Sequence, residues 1–533
     1  MKQNLSATGR TNPVLLLAVA FIEGGTVMAA ELLGAKMLAP FFGTTIYAWA
    51  AVLAVTLSGL AAGYYTGGFF TRKYRADRIL RIILIIAGLL MILMPVWGVW
   101  IMTAVTHMDL LPGLLISLML FVFPPVFFFG MVSPLIVHIL VQHIDQTGST
   151  AGKVYAISTV GGVLNTLLLG FYLIPTFGIK GPAMAYGALV LLSVLLILPK
   201  KIRPSMVLLV VAAALISMGA QAGKGKEDSV RFSVLYASEG ILGQVKVVDI
   251  KEMALNGKPM EPRGLLVNNT WQTLFNKTDN ENLLDYVYFI EPILSSFSGK
   301  QGNALLVGLG GGMLAREMTK TGMDVEVVEI DGRLKTLARR FFSLDPAMEI
   351  IIDDGRHYIN QTKKEYRLMV LDAFLGENAP WHLLTKECFE TIGSRLTPDG
   401  MLIIEFFGYI RGEKGLGARS VLKTLQKSGF QVQLIGTRKG DAPDRNLIFV
   451  ATKTPFLFEN LLYKPKPHSQ EPINDLREFL VDVPDSALQD AELLTDNHPS
   501  LEKMLGKPAL QWRRDLNAVL RDLLIEDELP IFY

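Results

Sequence analysis

The sequence predicts a multi-domain membrane protein: an α-helical transmembrane bundle, then a small β-rich part and a Rossmann-like α/β domain. Three observations predict this. Long apolar segments crowd residues 1–222, composition turns ordinarily soluble after Lys224, and strands alternate with helices from Ala304 onward. At 533 residues the chain also exceeds what a single hydrophobic core serves.

A helix needs about 20 mostly apolar residues to cross a bilayer. Seven segments meet that requirement: 13–35, 46–70, 79–105, 111–143, 152–175, 182–199 and 205–222. The first carries Glu23 and Glu31 and is followed by further spans, so it does not read as a cleaved signal peptide. Small residues such as Gly59, Ala61, Ala62, Gly63, Gly161 and Gly162 let helices approach closely, and one packed bundle is expected. Pro124, Pro125 and Pro134 should kink the fourth segment. Glu23, Glu31, Lys36, His138 and Asn165 are polar groups at or near membrane depth. They mark a substrate or ion pathway led by Glu23 and Glu31, or, for Glu31 and Lys36, pairing and snorkelling near an interface.

Half of the residues are apolar and 19% are charged, below the roughly 25% of soluble proteins. A net charge of +2 offers no basic field for nucleic acid. The single cysteine, Cys388, excludes an intramolecular disulfide and a cysteine-rich metal site, and reads as a small buried residue of a helix.

Past the polar linker 223–228, the segments 230–236, 243–250 and 264–267 read as strands, with turn signals at Asn256-Gly257 and Asn268-Asn269. From Ala304 the pattern becomes that of a parallel sheet with crossover helices. Strands are expected at 304–307, 325–329, 349–352, 368–371 and 401–405, helices at 313–321 and 333–342, and closing strands at 431–435 and 447–452. The tail from Pro455 reads as helical.

Ligands of open α/β sheets bind at the carboxyl ends of the strands. The first strand ends in Gly308-Leu309-Gly310-Gly311-Gly312, a run that turns sharply and lets a ligand come close. The second ends in Glu329-Ile330-Asp331, about 20 residues on, where an acidic side chain accepts ribose hydroxyls. The third ends in Asp353-Asp354-Gly355, within reach of an adenine amino group. The fourth ends in Leu371-Asp372-Ala373-Phe374, which sets Asp372 beside the reactive end of such a ligand. An amine is mostly protonated at neutral pH, so Asp372 is suited to accept its proton and hold it in line; the plainer role is a cap for the next loop. A sulfonium electrophile would leave as a neutral thioether and need neither acid nor metal.

These runs resemble the spermidine synthase (polyamine aminopropyltransferase) family, through 305–312, 328–331, 354–356 and 371–374. Residues 31–68, including Leu38-Ala39-Pro40-Phe41-Phe42-Gly43, are similar to its membrane-bound branch, and the tail contributes Leu494-Thr495-Asp496-Asn497-His498-Pro499. The resemblance implies a class I methyltransferase-type sheet after a small β-domain. The expected domains are then 1–222, 229–300, 301–455 and 456–533. It implies a transferase of polyamine biosynthesis that moves an aminopropyl group from decarboxylated S-adenosylmethionine to an amine such as putrescine, releasing methylthioadenosine, with no metal.

By position, the donor's nucleoside would be held by Gln272, Gly308, Gly310, Gly312, Glu329, Asp331, Asp354, Gly355 and Pro380, with Asp372 as proton acceptor and Tyr286 and Glu377 on the substrate side. The chain departs from the family pattern in three places. Gly311 stands where an Asp grips the donor's amine, Leu375 stands where a second Asp follows the first, and the Tyr-His-Glu run is absent, with Asp285-Tyr286 nearby. Two alternatives stay open: a methyltransferase using S-adenosylmethionine itself, and a transporter or sensor with a nucleoside-binding domain. The expected partners are the lipid bilayer and a polyamine or other amine, not nucleic acid; a homodimer is left open.

The expected location is the cell (inner) membrane, multi-pass. Arg72, Lys73, Arg75, Arg78 and Arg81 follow the second segment and Lys200, Lys201 and Arg203 the sixth, which places both loops in the cytoplasm. A complete seventh span then carries the C-terminal domain outside, whereas supply of the nucleoside favours the cytoplasm. The sequence leaves that side open.

Overall fold

The computed structural model describes residues 12–105, 108–141, 147–197, 231–251, 253–255, 258–374, 379–439, 445–456, 475–498 and 500–525. The chain divides into two compact units: 1–229 with 237–244 and 517–533, and 230–236 with 245–516.

The first unit is helical: α1 (Pro13–Phe42), α2 (Ile46–Lys73), α3 (Ala76–Ala104), α4 (Leu110–Phe121), α5 (Phe123–Gly130), α6 (Val132–Leu140), α7 (Thr147–Leu168), α8 (Ile174–Phe177) and α9 (Lys180–Ile197). Asn12 starts α1 by accepting from the Val14 amide, with Pro13 as the first helical residue, where no N–H is missed. Among the described residues, five helices are long and apolar enough to cross a membrane: α1, α2, α3, the run Phe123–Leu140 and the run Thr147–Phe177. Helix α4 and the apolar stretch Lys180–Leu195 are shorter.

The expected segment 111–143 comprises α4 and the run Phe123–Leu140 rather than one unbroken helix. At 1.5 Å per residue it would be about 50 Å long, against a hydrocarbon core of about 30 Å. It divides at Val122, ahead of Pro124 and Pro125, and at Met131, ahead of Pro134, because a proline has no N–H to continue the ladder. The expected segment 205–222 lies outside the described residues.

Helices α1 and α7 touch at Gly161, where an added Cβ would stand 2.2 Å from the Phe21 carbonyl oxygen. Nearby, buried Glu23 accepts from the hydroxyls of Ser133 at 3.4 Å and Ser158 at 3.1 Å. Asn165 donates to the Gly161 carbonyl and accepts from the Tyr186 hydroxyl. Lys36 Nζ donates to the carbonyls of Gly240 at 3.1 Å and Ile241 at 2.6 Å.

The second unit holds two larger sheets and a hairpin. Strands β1 (Phe232–Ser238), β2 (Val245–Ile250), β5 (Pro262–Val267) and β6 (Thr270–Asn276) form a four-stranded sheet in that order, and β3 (Met253–Leu255) pairs with β4 (Lys258–Met260). Asn268 and Asn269, with φ of 49° and 62°, make the two-residue turn from β5 to β6 that their side chains favour. The Asn256-Gly257 signal lies outside the described residues.

The main sheet comprises β7 (Asn303–Val307), β8 (Asp324–Glu329), β9 (Glu349–Ile352), β10 (Tyr366–Leu371), β11 (Leu396–Gly408), β12 (Gln431–Gly436) and β13 (Arg445–Thr452). Its order is β12-β13-β11-β10-β7-β8-β9, with β7 through β11 parallel and β13 antiparallel to β11 and β12. This is the expected Rossmann-like doubly wound sheet. Both faces are covered, since Leu306, Val327, Val370 and Ile403 belong to one core and Leu305, Val328, Leu371 and Ile404 to the other. Cys388 is buried in the helix Lys386–Arg395.

The chain order reverses between β7 and β10, which opens a crevice at their carboxyl ends. Register then fixes what lines it. Val307 pairs with Val328 and with Leu371, and Leu371 pairs with Ile404. The next residue of each strand therefore falls in one row: Glu329, Gly308, Asp372 and Glu405.

Candidate functional site

Above that row lies a cavity of about 410 Å³, of the size that holds a drug-sized ligand. Gln272, Gly308, Gly310, Glu329, Asp354, Gly355, Asp372, Pro380 and Tyr286, all expected at a site, line it. Gly312 and Asp331 do not. Gly312, at φ 85°, precedes the helix Met313–Thr319, and Asp331 caps the helix Gly332–Phe341 by accepting from the Arg333 amide. Asp331 is also held by the Arg333 guanidinium at 2.6 Å, so its carboxylate is occupied within its own turn. Glu377 and Leu375 lie outside the described residues.

Gly308 is where the strand ends come closest. Its φ is 99°, and a Cβ there would stand 1.9 Å from the Asp372 carbonyl oxygen. Beyond it the chain turns so that the Leu309 amide donates to Glu329 Oε2 at 2.8 Å, while the Asp331 amide donates to Oε1 at 2.8 Å. The Glu329 carboxylate is thereby fixed at the cavity wall, and each oxygen keeps a further lone pair for a ligand. Burial, the largest influence, raises its carboxyl above the usual range, partly offset by these amides.

Gly311 donates its amide to Thr273 Oγ1 at 2.7 Å, and a Cβ at Gly311 would stand 2.7 Å from Thr273 Cγ2. The position that carries an Asp in the resembling family is thus closed by Thr273. On the far side, Asp354 caps the helix Gly355–Gln361 through Oδ1 and lies 3.1 Å from His382 Nε2 through Oδ2. Arg356 donates to the His382 carbonyl at 2.9 Å and pairs with Asp496 at 2.9 Å. The run that includes Asp496 therefore braces the loop bearing His382.

At the other end of the row, the Tyr286 hydroxyl donates to Asp372 Oδ2 at 3.0 Å. Asn446 Nδ2 donates to Glu405 Oε1, and Glu405 is buried in the wall beside Asp372. Asp372 faces the cavity and is enclosed on its other sides. Enclosure pushes its carboxyl above the ordinary range, with Tyr286 pulling it partly back. Enclosure and then the charge of Asp372 push Glu405 up as well, with Asn446 opposing them. Trp271 from β6, and Phe407 with Trp512 at a ring spacing of 5.3 Å, add aromatic wall.

Sequence reading missed Glu405, Thr273, His382 and Trp512. Glu405 carried one signal, as the last residue of the expected strand 401–405. The others carried none, because β6 was unexpected and Trp512 belongs to a helix far along the chain, Leu501–Ile525.

The chain is similar to polyamine aminopropyltransferases. One from Vibrio vulnificus is 30% identical over 118 residues, which is 21% of this chain and 40% of its own. An N-terminal histidine N-methyltransferase from Emericella nidulans is 32% identical over 113 residues, 20% of each chain. A probable spermidine synthase from Corynebacterium glutamicum has a TM-score of 0.36 at 18% identity, covering 44% of this chain and 82% of its own. The chain spans between 20% and 62% of the length of the curated relatives it matches. No family model matches the chain.

Proposed function

We propose that this chain is a membrane-anchored, spermidine synthase-like aminopropyltransferase. In this reading the cavity takes decarboxylated S-adenosylmethionine, and an amine such as putrescine is the acceptor. One observation carries the reading: Gly310, Glu329, Asp354 and Asp372, from the carboxyl ends of β7, β8, β9 and β10, line a single cavity. Glu329 accepts the ribose hydroxyls, Asp354 and Gly355 flank the adenine, and Gln272 and Pro380 close over the nucleoside.

Asp372 then stands at the sulfonium end. The acceptor nitrogen attacks the carbon bonded to sulfur, the carbon–sulfur bond breaks, and its electron pair returns to sulfur. Methylthioadenosine leaves neutral. The nitrogen's surplus proton passes to Asp372, while Tyr286 keeps that carboxylate oriented. The apolar helices hold the enzyme in the cell membrane.

A second reading is favoured by Gly311 and by the methyltransferase relative. Without an Asp to grip the donor's amine, the cavity could serve S-adenosylmethionine and a methyl group instead.

Calorimetric titration with the two sulfonium nucleosides, paired with the variant Asp372→Asn, tests the proposal. Tighter binding of the decarboxylated donor is expected, together with transfer that falls by roughly 10²–10⁴ in Asp372→Asn while nucleoside binding persists. Preference for the carboxylated nucleoside, or unchanged transfer in the variant, would overturn it.

A further inference from the structure

Asp372 and Glu405 present two carboxyl groups to one cavity with no protein cation paired to either among the described residues. Parallel pairing of Leu371 with Ile404 sets the two on adjacent strands, whose backbones run about 4.8 Å apart in a sheet, with Asp372 just past the end of β10 and Glu405 within β11. Their donors are neutral: the Tyr286 hydroxyl on Asp372 and the Asn446 amide on Glu405.

The other titratable and charged groups of the cavity wall come from the elements around the pair, Tyr286 among them in direct contact with Asp372. Asp285 and Tyr286 come from the helix Asp285–Ser295, and Arg438 and Arg445 from the β12–β13 side, where Arg445 Nη1 is turned to the Arg438 carbonyl at 3.0 Å. Glu329, Asp353, Asp354 and His382 stand toward the proposed nucleoside end.

Two neighbouring carboxylates in an enclosed wall cannot both ionise without a compensating positive charge. In the free enzyme a proton can supply it. A cationic ligand can supply it instead.

We propose that Asp372 and Glu405 share one proton in the free enzyme and exchange it for an ammonium group of the acceptor, so that capture of a cationic amine releases a proton. The inference rests on the amine-acceptor reading above and narrows the substrate class to diamines and longer polyamines. The balance is simple. The carboxylic acid–carboxylate pair becomes two carboxylates flanking an ammonium, and one proton goes to solvent. Glu405 then holds the distal ammonium of a diamine, which leaves Asp372 ionised to take the proton of the attacking nitrogen. A monoamine of equal length lacks the distal charge and gains nothing from Glu405.

The test compares the full-length protein with Glu405→Gln, both saturated with methylthioadenosine. Each is titrated with putrescine and with butylamine near neutral pH, in buffers of different ionisation enthalpy. The expected result is about one proton released per putrescine bound by the wild type, and none by the variant. The preference for putrescine over butylamine should also drop by roughly tenfold or more in the variant. Putrescine binding without proton release, equal release by both proteins, or no putrescine binding by protein that holds methylthioadenosine would overturn the proposal.

Infrared difference spectra of the ligand-free proteins test the shared proton without any nucleoside. A protonated-carboxyl band should be present in the wild type near neutral pH and missing from Glu405→Gln. Identical spectra would overturn the proposal, whereas failure of methylthioadenosine alone to bind would count against the nucleoside reading and leave that spectral test in force.

Discussion

The Tyr286 hydroxyl donates to Asp372 Oδ2 at 3.0 Å, tying the helix Asp285–Ser295 to the tip of β10. This bond favours the ionised carboxylate, against the enclosure that raises its pKa. Tyr286 thus tunes the group to which the proposed reaction delivers a proton.

Removing that bond in Tyr286→Phe raises the Asp372 pKa further. Transfer needs Asp372 ionised, so activity appears only at higher pH. The acidic limb of the kcat/KM profile should move upward, and activity on that limb should fall roughly tenfold for every pH unit that it moves. A pH–rate profile of wild type and variant checks this.

Asp372 and Glu405 also link stability to pH. Burial, and for Glu405 also the charge of Asp372, holds both folded-state carboxyls well above the roughly 4 of an unfolded chain, and the two titrate as a pair. Folded-state values raised in this way mean that the folded form binds more protons. The pair's contribution is therefore full below about pH 4 and declines as pH rises toward 8. Glu405→Gln should remove much of that decline, stabilising the ligand-free protein at pH 8 by on the order of 1 kcal/mol or more and changing it little at pH 4. Thermal midpoints in detergent at the two pH values check the sign.

Gly308→Ala should separate close approach from backbone preference alone. Its Cβ would stand 1.9 Å from the Asp372 carbonyl oxygen at φ 99°, so the tips of β7 and β10 must part. A loss of more than about 2 kcal/mol is expected, together with loss of nucleoside binding. Gly429, at φ 89° with nothing within 4 Å, should cost only about 1–2 kcal/mol as alanine. Unfolding curves of the two variants make the comparison.

In the helical unit, Gly161→Leu should drive α1 and α7 apart, because a Cβ there would meet the Phe21 carbonyl oxygen at 2.2 Å. A sharp drop in detergent-extracted folded protein is expected. Gly148→Leu, with nothing within 4 Å, should be tolerated. Size-exclusion profiles of the two variants distinguish these outcomes.

Much of the main sheet was legible in sequence, for a physical reason. Strands buried on both faces read as continuous apolar runs, and β7, β8 and β9 lie within a residue of their expected bounds. Strand β6 was not legible, because Thr270-Trp271-Gln272-Thr273 mixes polar and aromatic residues without clean alternation. Glu405 was visible as a strand-end residue but not as a partner of Asp372, since only the β10–β11 register brings the two together. Gly312 and Asp331 looked like ligand contacts because they sit in the right turns. Their tasks are helix entry and capping, which the same residue types serve. In the helical unit, hydropathy merged α4 with the run Phe123–Leu140, because apolar composition alone does not mark where prolines divide a helix.

The most direct test of the nucleoside groove is calorimetric titration of methylthioadenosine into the wild type, Glu329→Gln and Glu329→Ala. One nucleoside bound per chain is expected, with affinity falling by roughly tenfold in Glu329→Gln and a hundredfold in Glu329→Ala. No binding by the wild type, or equal affinity in all three proteins, would contradict the proposed groove.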